Sequence, residues 1–370
     1  MSKKLFYIPI IYIILSLIVL MMGILHGSYD FSRLNSIYSN IFVYVTVFLY
    51  FIPIINEVKN NTPDSNFNNF CKVIYFVFAI QSFIILLSLM LPGFHKYITL
   101  FQSPLDAVRS ISYGGVRGLA LSGAQFFPLS ALFAISQVFI IYFICNEKKF
   151  IHFPIFIMIS IAGLTAGRTS LIGTLFSFLF LLIMLKNDNG VRQYFFKVIP
   201  FVLLSFLVLG SMYWNELSKT EIFDVFYNFA FEFLVNYQET GNLNTSSTDI
   251  LSRMYWSMNI YDFVFGYGYY ISEDGLTTFM NTDAGYMRNI LFFGVFGTGY
   301  ILLSTVLIFK LLLNELGDSL KRCIIKLFLI LTLILHYKGD VLLHLVSVQS
   351  YLLLLYFMIF SSSCNIKKEV

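Results

Sequence analysis

The sequence predicts an all-α, polytopic integral membrane protein with about ten transmembrane helices and one large external loop late in the chain. Three observations carry this. Only 12% of the 370 residues are charged, half the ~25% of soluble domains. Mean hydropathy is +0.78, and 58% of residues are hydrophobic. The apolar residues fall in runs near the ~20 that a spanning helix requires. Residues 1–370 read as a single membrane domain, with 215–284 as the large loop within it.

The expected spans, in order, are 5–25, 38–56, 72–93, 123–145, 151–167, 168–185, 197–214, 285–310, 323–337 and 340–361. The first follows Lys3 and Lys4 and has no small-residue cleavage site behind it, so it reads as an uncleaved helix. The acidic, Asn-rich stretch 56–69 reads as a loop. Only Thr165–Ser170 separates the fifth and sixth spans, as a tight turn or a break in one helix. Within the large loop, Glu221–Tyr237 has apolar residues at helical spacing with acids between them, the pattern of a helix lying on a membrane surface. Ser246–Asp249 then caps a short helix carrying Arg253, Tyr255 and Trp256.

Lys and Arg near span ends favour the cytoplasm. With the N-terminus inside, fifteen basic residues are cytoplasmic, among them Lys3, Lys4, Lys59, Lys321, Arg322 and Lys326. Nine are external: Arg33, Lys96, Arg109, Arg117, Arg168, Lys219, Arg253, Arg288 and Lys338. Lys dominates inside and Arg outside. Orientation needs only positive charge, whereas a planar guanidinium fork suits phosphate or carboxylate.

Several classes are excluded. A net charge of +4 gives no basis for nucleic-acid binding. Cys71, Cys145, Cys323 and Cys364 show no metal spacing. His336, Asp340 and His344 share helical spacing, but Gly339 interrupts them, and a polar cavity lining explains them better than a metal. There is no nucleotide-type phosphate loop, so no cofactor is expected and any sugar donor must arrive on a lipid.

The candidate residues lie on the external side. Arg168, in Ala166-Gly167-Arg168-Thr169-Ser170, is either an anion-binding Arg at a helix N-terminus or a helix-end Arg reaching for water. Arg109 and Arg117 flank Tyr113-Gly114-Gly115, where glycines permit close backbone approach. Asp283 opens the helix that begins near Ala284; it is either a cap or a carboxylate able to take a proton from a sugar hydroxyl. Arg288 lies about one turn further along, and Lys338 is an auxiliary phosphate contact.

The many apolar helices with one late external loop resemble the O-antigen polymerases and the related O-antigen ligases of the bacterial envelope. Asp283-Ala284, nine residues, then Gly294-Val295-Phe296-Gly297 resembles the ligase signature of His and a small polar residue, nine residues, Gly-x-x-Gly. Asp283 stands where the ligases have His, which fits polymerases better. Ser252–Trp256 with Gly266-Tyr267-Gly268, Ala166–Ser170 and Val116–Gln125 are similar to the Arg-bearing segments of this superfamily. The resemblance implies a membrane-integral glycosyltransferase of the bacterial inner membrane, acting at its periplasmic face. It would join oligosaccharide units carried on undecaprenyl pyrophosphate, as donor and acceptor, and release undecaprenyl pyrophosphate. Asp283 and Arg253 would be catalytic. Arg117, Arg168, Arg288, Lys338, Tyr286 and Trp256 would bind substrate, the aromatics by stacking on sugars. Membrane lipid and a chain-length regulator protein are the other partners this implies. A flippase for the same unit, an O-antigen ligase and a membrane acyltransferase are the alternatives. A flippase would show two related halves, and no repeat is evident; none of the five histidines has the setting an acyltransferase would need.

Overall fold

The computed structural model describes residues 3–59, 61–104, 126–200, 221–272, 274, 275 and 277–362, together with 108, 121, 124 and 204. Every named element is helical; the sole β pairing among the described residues is an isolated bridge between Ile271 and Thr278. Six helices are long and apolar enough to cross a membrane. The chain forms two compact units, residues 1–70 with 246–370, and residues 71–245.

The first unit contains α1 (Tyr7–Leu25), α2 (Ser32–Lys59), the first turns of α3 (Pro63–Met90), α10 (Ser246–Arg253), α11 (Ile260–Phe265), α12 (Gly285–Glu315), α13 (Ser319–Lys338) and α14 (Val346–Ser362). Its core is aromatic and aliphatic: Tyr44 and Phe51 of α2 pack on Phe357 of α14, and Phe309 of α12 on Phe328 of α13. One end is tied by ion pairs, Lys4 with Glu315 and Lys321 with Asp64. The stretch 56–69, expected as a loop, is helical to Lys59 and again from Pro63. The reason is a helix start: Thr62 Oγ1 accepts from the Ser65 amide, Pro63 occupies the first turn, and Asn66 Nδ2 donates to the Met358 carbonyl. Asn66 is thereby buried among the helices.

α12 is broken. Gly294 has φ 63°, ψ −171°, and frees a turn of backbone. The Leu291 carbonyl is recovered by the Tyr267 amide at 2.6 Å, as a break in an apolar helix requires. Gly266, φ +72°, faces Gly294 so closely that a Cβ would lie 2.7 Å from the Gly294 nitrogen. These two glycines seat α11 against α12.

The second unit contains the rest of α3, α4 (Pro92–Thr99), α5 (Phe126–Glu147), α6 (His152–Ala166), α7 (Ser170–Asn187), α8 (Glu221–Ala230) and α9 (Glu232–Thr240). Residues 189–200 are also helical. α5 is buried on all sides from Leu129 to Cys145, so it is the central helix of this unit. Gly173 of α7 admits the backbone of Ala134, a small-residue contact. α6 and α7 are separate helices joined by a tight turn at Gly167. The surface helix expected over 221–237 is two helices, interrupted at Phe231.

Candidate functional site

The first unit gathers its buried polar groups where α1 and α13 end and α2 and α12 begin. Arg33, in the first turn of α2, is 0% exposed. Its Nη1 donates to the Asp340 carboxylate, and to Tyr270 Oη at 2.9 Å. Tyr270 donates to Asp340 Oδ2 at 2.8 Å. That commits the single phenol proton, so His344 Nε2, 3.1 Å away, is the donor in its own contact. His344 Nδ1 lies 2.8 Å from Ser36 Oγ. The Arg288 guanidinium sits 3.8 Å from the Tyr270 ring centroid, a cation–π contact. Burial, then the Asp340 charge, hold the Tyr270 phenol well above its ordinary range, so it remains a donor.

Beside this cluster, His336 Nδ1 accepts the Val341 and Leu342 amides at 3.0 and 3.3 Å. The ring proton is therefore on Nε2, which faces Asn289 at 3.0 Å and requires that amide to present its oxygen. Gly285 makes the junction possible: a Cβ there would lie 2.4 Å from the His336 carbonyl and 2.6 Å from that of Gly339. Among the described residues no group of three or more His, Cys, Asp or Glu side chains is arranged to hold a metal.

The residue Tyr270 is delivered by a clasp between two loops. Asp30 Oδ2 accepts the Tyr270 and Ile271 amides at 2.6 and 2.9 Å. Ser28 Oγ donates to the Gly268 carbonyl at 2.7 Å, and His26 Nε2 lies 3.2 Å from the Phe265 carbonyl. Burial raises the Asp30 pKa, but hydrogen bonds from Ser32 and from the Ile271 and Tyr270 amides outweigh it, and the net shift is downward. A depressed carboxylate contributes stability above its unfolded pKa and loses it as pH falls through the folded value. The clasp is thus expected to loosen in acid, below about pH 3.9. Hydrogen exchange at the Tyr270 and Ile271 amides, corrected for intrinsic rates, should accelerate there; equal protection at pH 6 and pH 3 would refute the clasp. Asp30→Asn should abolish the pH dependence.

The sequence-predicted residues are distributed as follows. Asp283 is exposed, just before α12, and no described residue pairs with it. It does not cap: the helix is preceded by Ala284, and the local side-chain bond is Thr282 Oγ1 with the Ala284 amide. Arg288 is turned to Tyr270 rather than to Asp283. Arg253 is exposed at the end of α10, and Trp256 is exposed beyond it. Tyr255 stacks on Tyr337 at 4.6 Å and donates to its carbonyl. Tyr286 is a packing residue, donating to the Leu333 carbonyl with its ring against His336. Lys338 ends α13. Arg168, in the second unit, pairs with Glu232 and covers the Phe229 ring at 5.2 Å, so an anion there must compete with a carboxylate. Arg117 and Arg109 lie outside the described residues.

Arg33, Tyr270 and Asp30 are the residues sequence reasoning passed over. For Arg33 the available signal was an ionisable group at the mouth of an apolar run. Comparison with family models, curated proteins and solved structures found no match.

Proposed function

We propose that this protein is a polysaccharide polymerase of the O-antigen type, joining oligosaccharide units carried on undecaprenyl pyrophosphate. The observation that supports it best is the asymmetry of the first unit. Arg33, Tyr270, Arg288 and Asp340 collect at one end of otherwise apolar helices, and exposed Asp283 opens a helix at that end. Such an arrangement suits chemistry on a lipid-borne polar substrate. In this reading the chain has ten spans in the bacterial inner membrane and 215–284 faces the periplasm, as the basic-residue asymmetry indicates.

The chemistry asked of the protein is modest. Pyrophosphate bound by guanidinium is a competent leaving group, so a weak carboxylate base suffices. Asp283 accepts the acceptor hydroxyl's proton as the bond from sugar to pyrophosphate breaks and the new glycosidic bond forms. Arg253 and Arg288 supply the cations. Flipping of the same lipid-linked unit is the competing activity.

A cell lacking the chain should carry single repeat units on its lipid core and no ladder of longer polymer. Loss of the single unit as well would indicate a flippase or a ligase, and an unchanged ladder would refute all three. Asp283→Asn should give the single-unit profile at normal protein level. Because Asp283 makes no capping bond, loss of a cap would not explain that profile; a parental ladder would remove Asp283 from the mechanism. A reporter fused in 215–284 that reads cytoplasmic would exclude the orientation.

A further inference from the structure

α11, in the middle of the polar loop, carries an exposed apolar surface. Ile260 is 84% exposed, Tyr261 65% and Phe265 49%. The helix does not lie beyond the end of α12. It packs beside it at the Gly294 break, nine residues in from Gly285, which is roughly 14 Å along the axis at 1.5 Å per residue. On α12 the residues just past the break, Phe296 and then Leu303, are 74% and 73% exposed. α11 thus packs against a helix apolar enough to span a bilayer, and both carry exposed apolar side chains.

Many polar atoms at the cap and the exit of α11 are paired within the protein. Asn259 accepts the Asp262 amide at 2.8 Å as the helix cap, and the Asp262 carboxylate accepts from Asn259 Nδ2 and the Tyr267 hydroxyl. The Gly266 amide returns to the Asp262 carbonyl, and the Tyr267 amide goes to Leu291. The Phe265 and Gly268 carbonyls are met by His26 and Ser28. Backbone away from water must be paired in this way, and a loop in water has no such need.

We propose that α11 is a re-entrant element whose Ile260–Tyr261–Phe265 surface contacts the acyl chains of bilayer lipid. This goes beyond the glycosyl-transfer reading and does not depend on it. Its occupant is lipid because α11 packs against a helix apolar enough to span a bilayer, with exposed apolar side chains on both, and because Tyr and Trp favour the boundary between hydrocarbon and headgroup.

The test is fluorescence of the full chain in liposomes. Trp214 and Trp256 are replaced by Phe, and a single tryptophan is introduced as Tyr261→Trp or, separately, Ile260→Trp. Both reporters should emit in the blue, lose most of their emission to lipids brominated on the acyl chain, and resist aqueous iodide. Asn281→Trp, in the exposed turn near Thr278, should show the opposite pattern. Red-shifted emission with ready iodide quenching at both 260 and 261 would overturn the proposal. Blue emission that brominated lipid does not quench would also overturn it, since the surface would then be covered by protein. Using two positions keeps the result readable if one variant fails to fold.

Discussion

Asp340→Ala is expected to destabilise the protein by about 3–5 kcal/mol, because it strands a buried guanidinium. Arg33 has 0% exposure, and its Nε and Nη2 make no hydrogen bond, so no other group takes up the charge when Asp340 is removed. The double variant Arg33→Met/Asp340→Leu should recover most of that loss, since replacing a buried ion pair by apolar side chains is often neutral or better. The two thermal midpoints in detergent decide this: equal destabilisation in the single and the double variant would show that the pair's packing matters and its charge does not. The double variant should nevertheless yield only single repeat units. Without Arg33 and Asp340 the Tyr270 hydroxyl loses two of its three partners, and Arg288 loses the fixed ring on which it rests. A full ladder from a stable double variant would make the pair purely architectural.

Gly294→Ala should cost at least ~3 kcal/mol. Its φ of 63° with ψ of −171° belongs to a region that only glycine occupies without strain, worth about 1–3 kcal/mol for other residues. A Cβ would also lie 2.1 Å from the Val264 carbonyl oxygen, a backbone atom that cannot swing aside. Gly299→Ala, two helical positions past Gly297, is the internal control. Nothing lies within 4 Å of its Cβ position, so it should be neutral or stabilise by up to ~1 kcal/mol. Thermal midpoints of the two variants, with hydrogen exchange over 260–268, check the contrast. Similar midpoints would mean that the break in α12 is not a structural requirement.

The helical class and the main apolar runs are legible because hydropathy is a local property. The Gly294/Gly297/Gly299 series is equally visible, but which glycine breaks the helix is decided by the approach of Gly266 from another element. His336, Asp340 and His344 do gather, but not on one helix face as their four-residue spacing predicts, since α13 ends at Lys338 and residues 339–345 are not helical. Their partners are not legible, since Arg33, Tyr270 and Asn289 lie on other elements. The span predicted to begin at 38 leaves Arg33 in a loop, whereas α2 begins at Ser32 and Arg33 is buried in its first turn. The cap at Thr62 with Pro63 was readable, but the polarity of the stretch concealed it.

The Arg33–Asp340 bond also imposes an order in time. Its partners are 307 residues apart, and at 5–20 residues per second a ribosome takes roughly 15–60 s to cover that distance. Throughout that interval the nascent chain holds a cation at the mouth of its second apolar helix without its native partner Asp340. The first seventy residues therefore cannot reach their final packing until the last hairpin is synthesised. A chain that stops before residue 340 keeps Arg33 without the carboxylate that it pairs with in the finished protein.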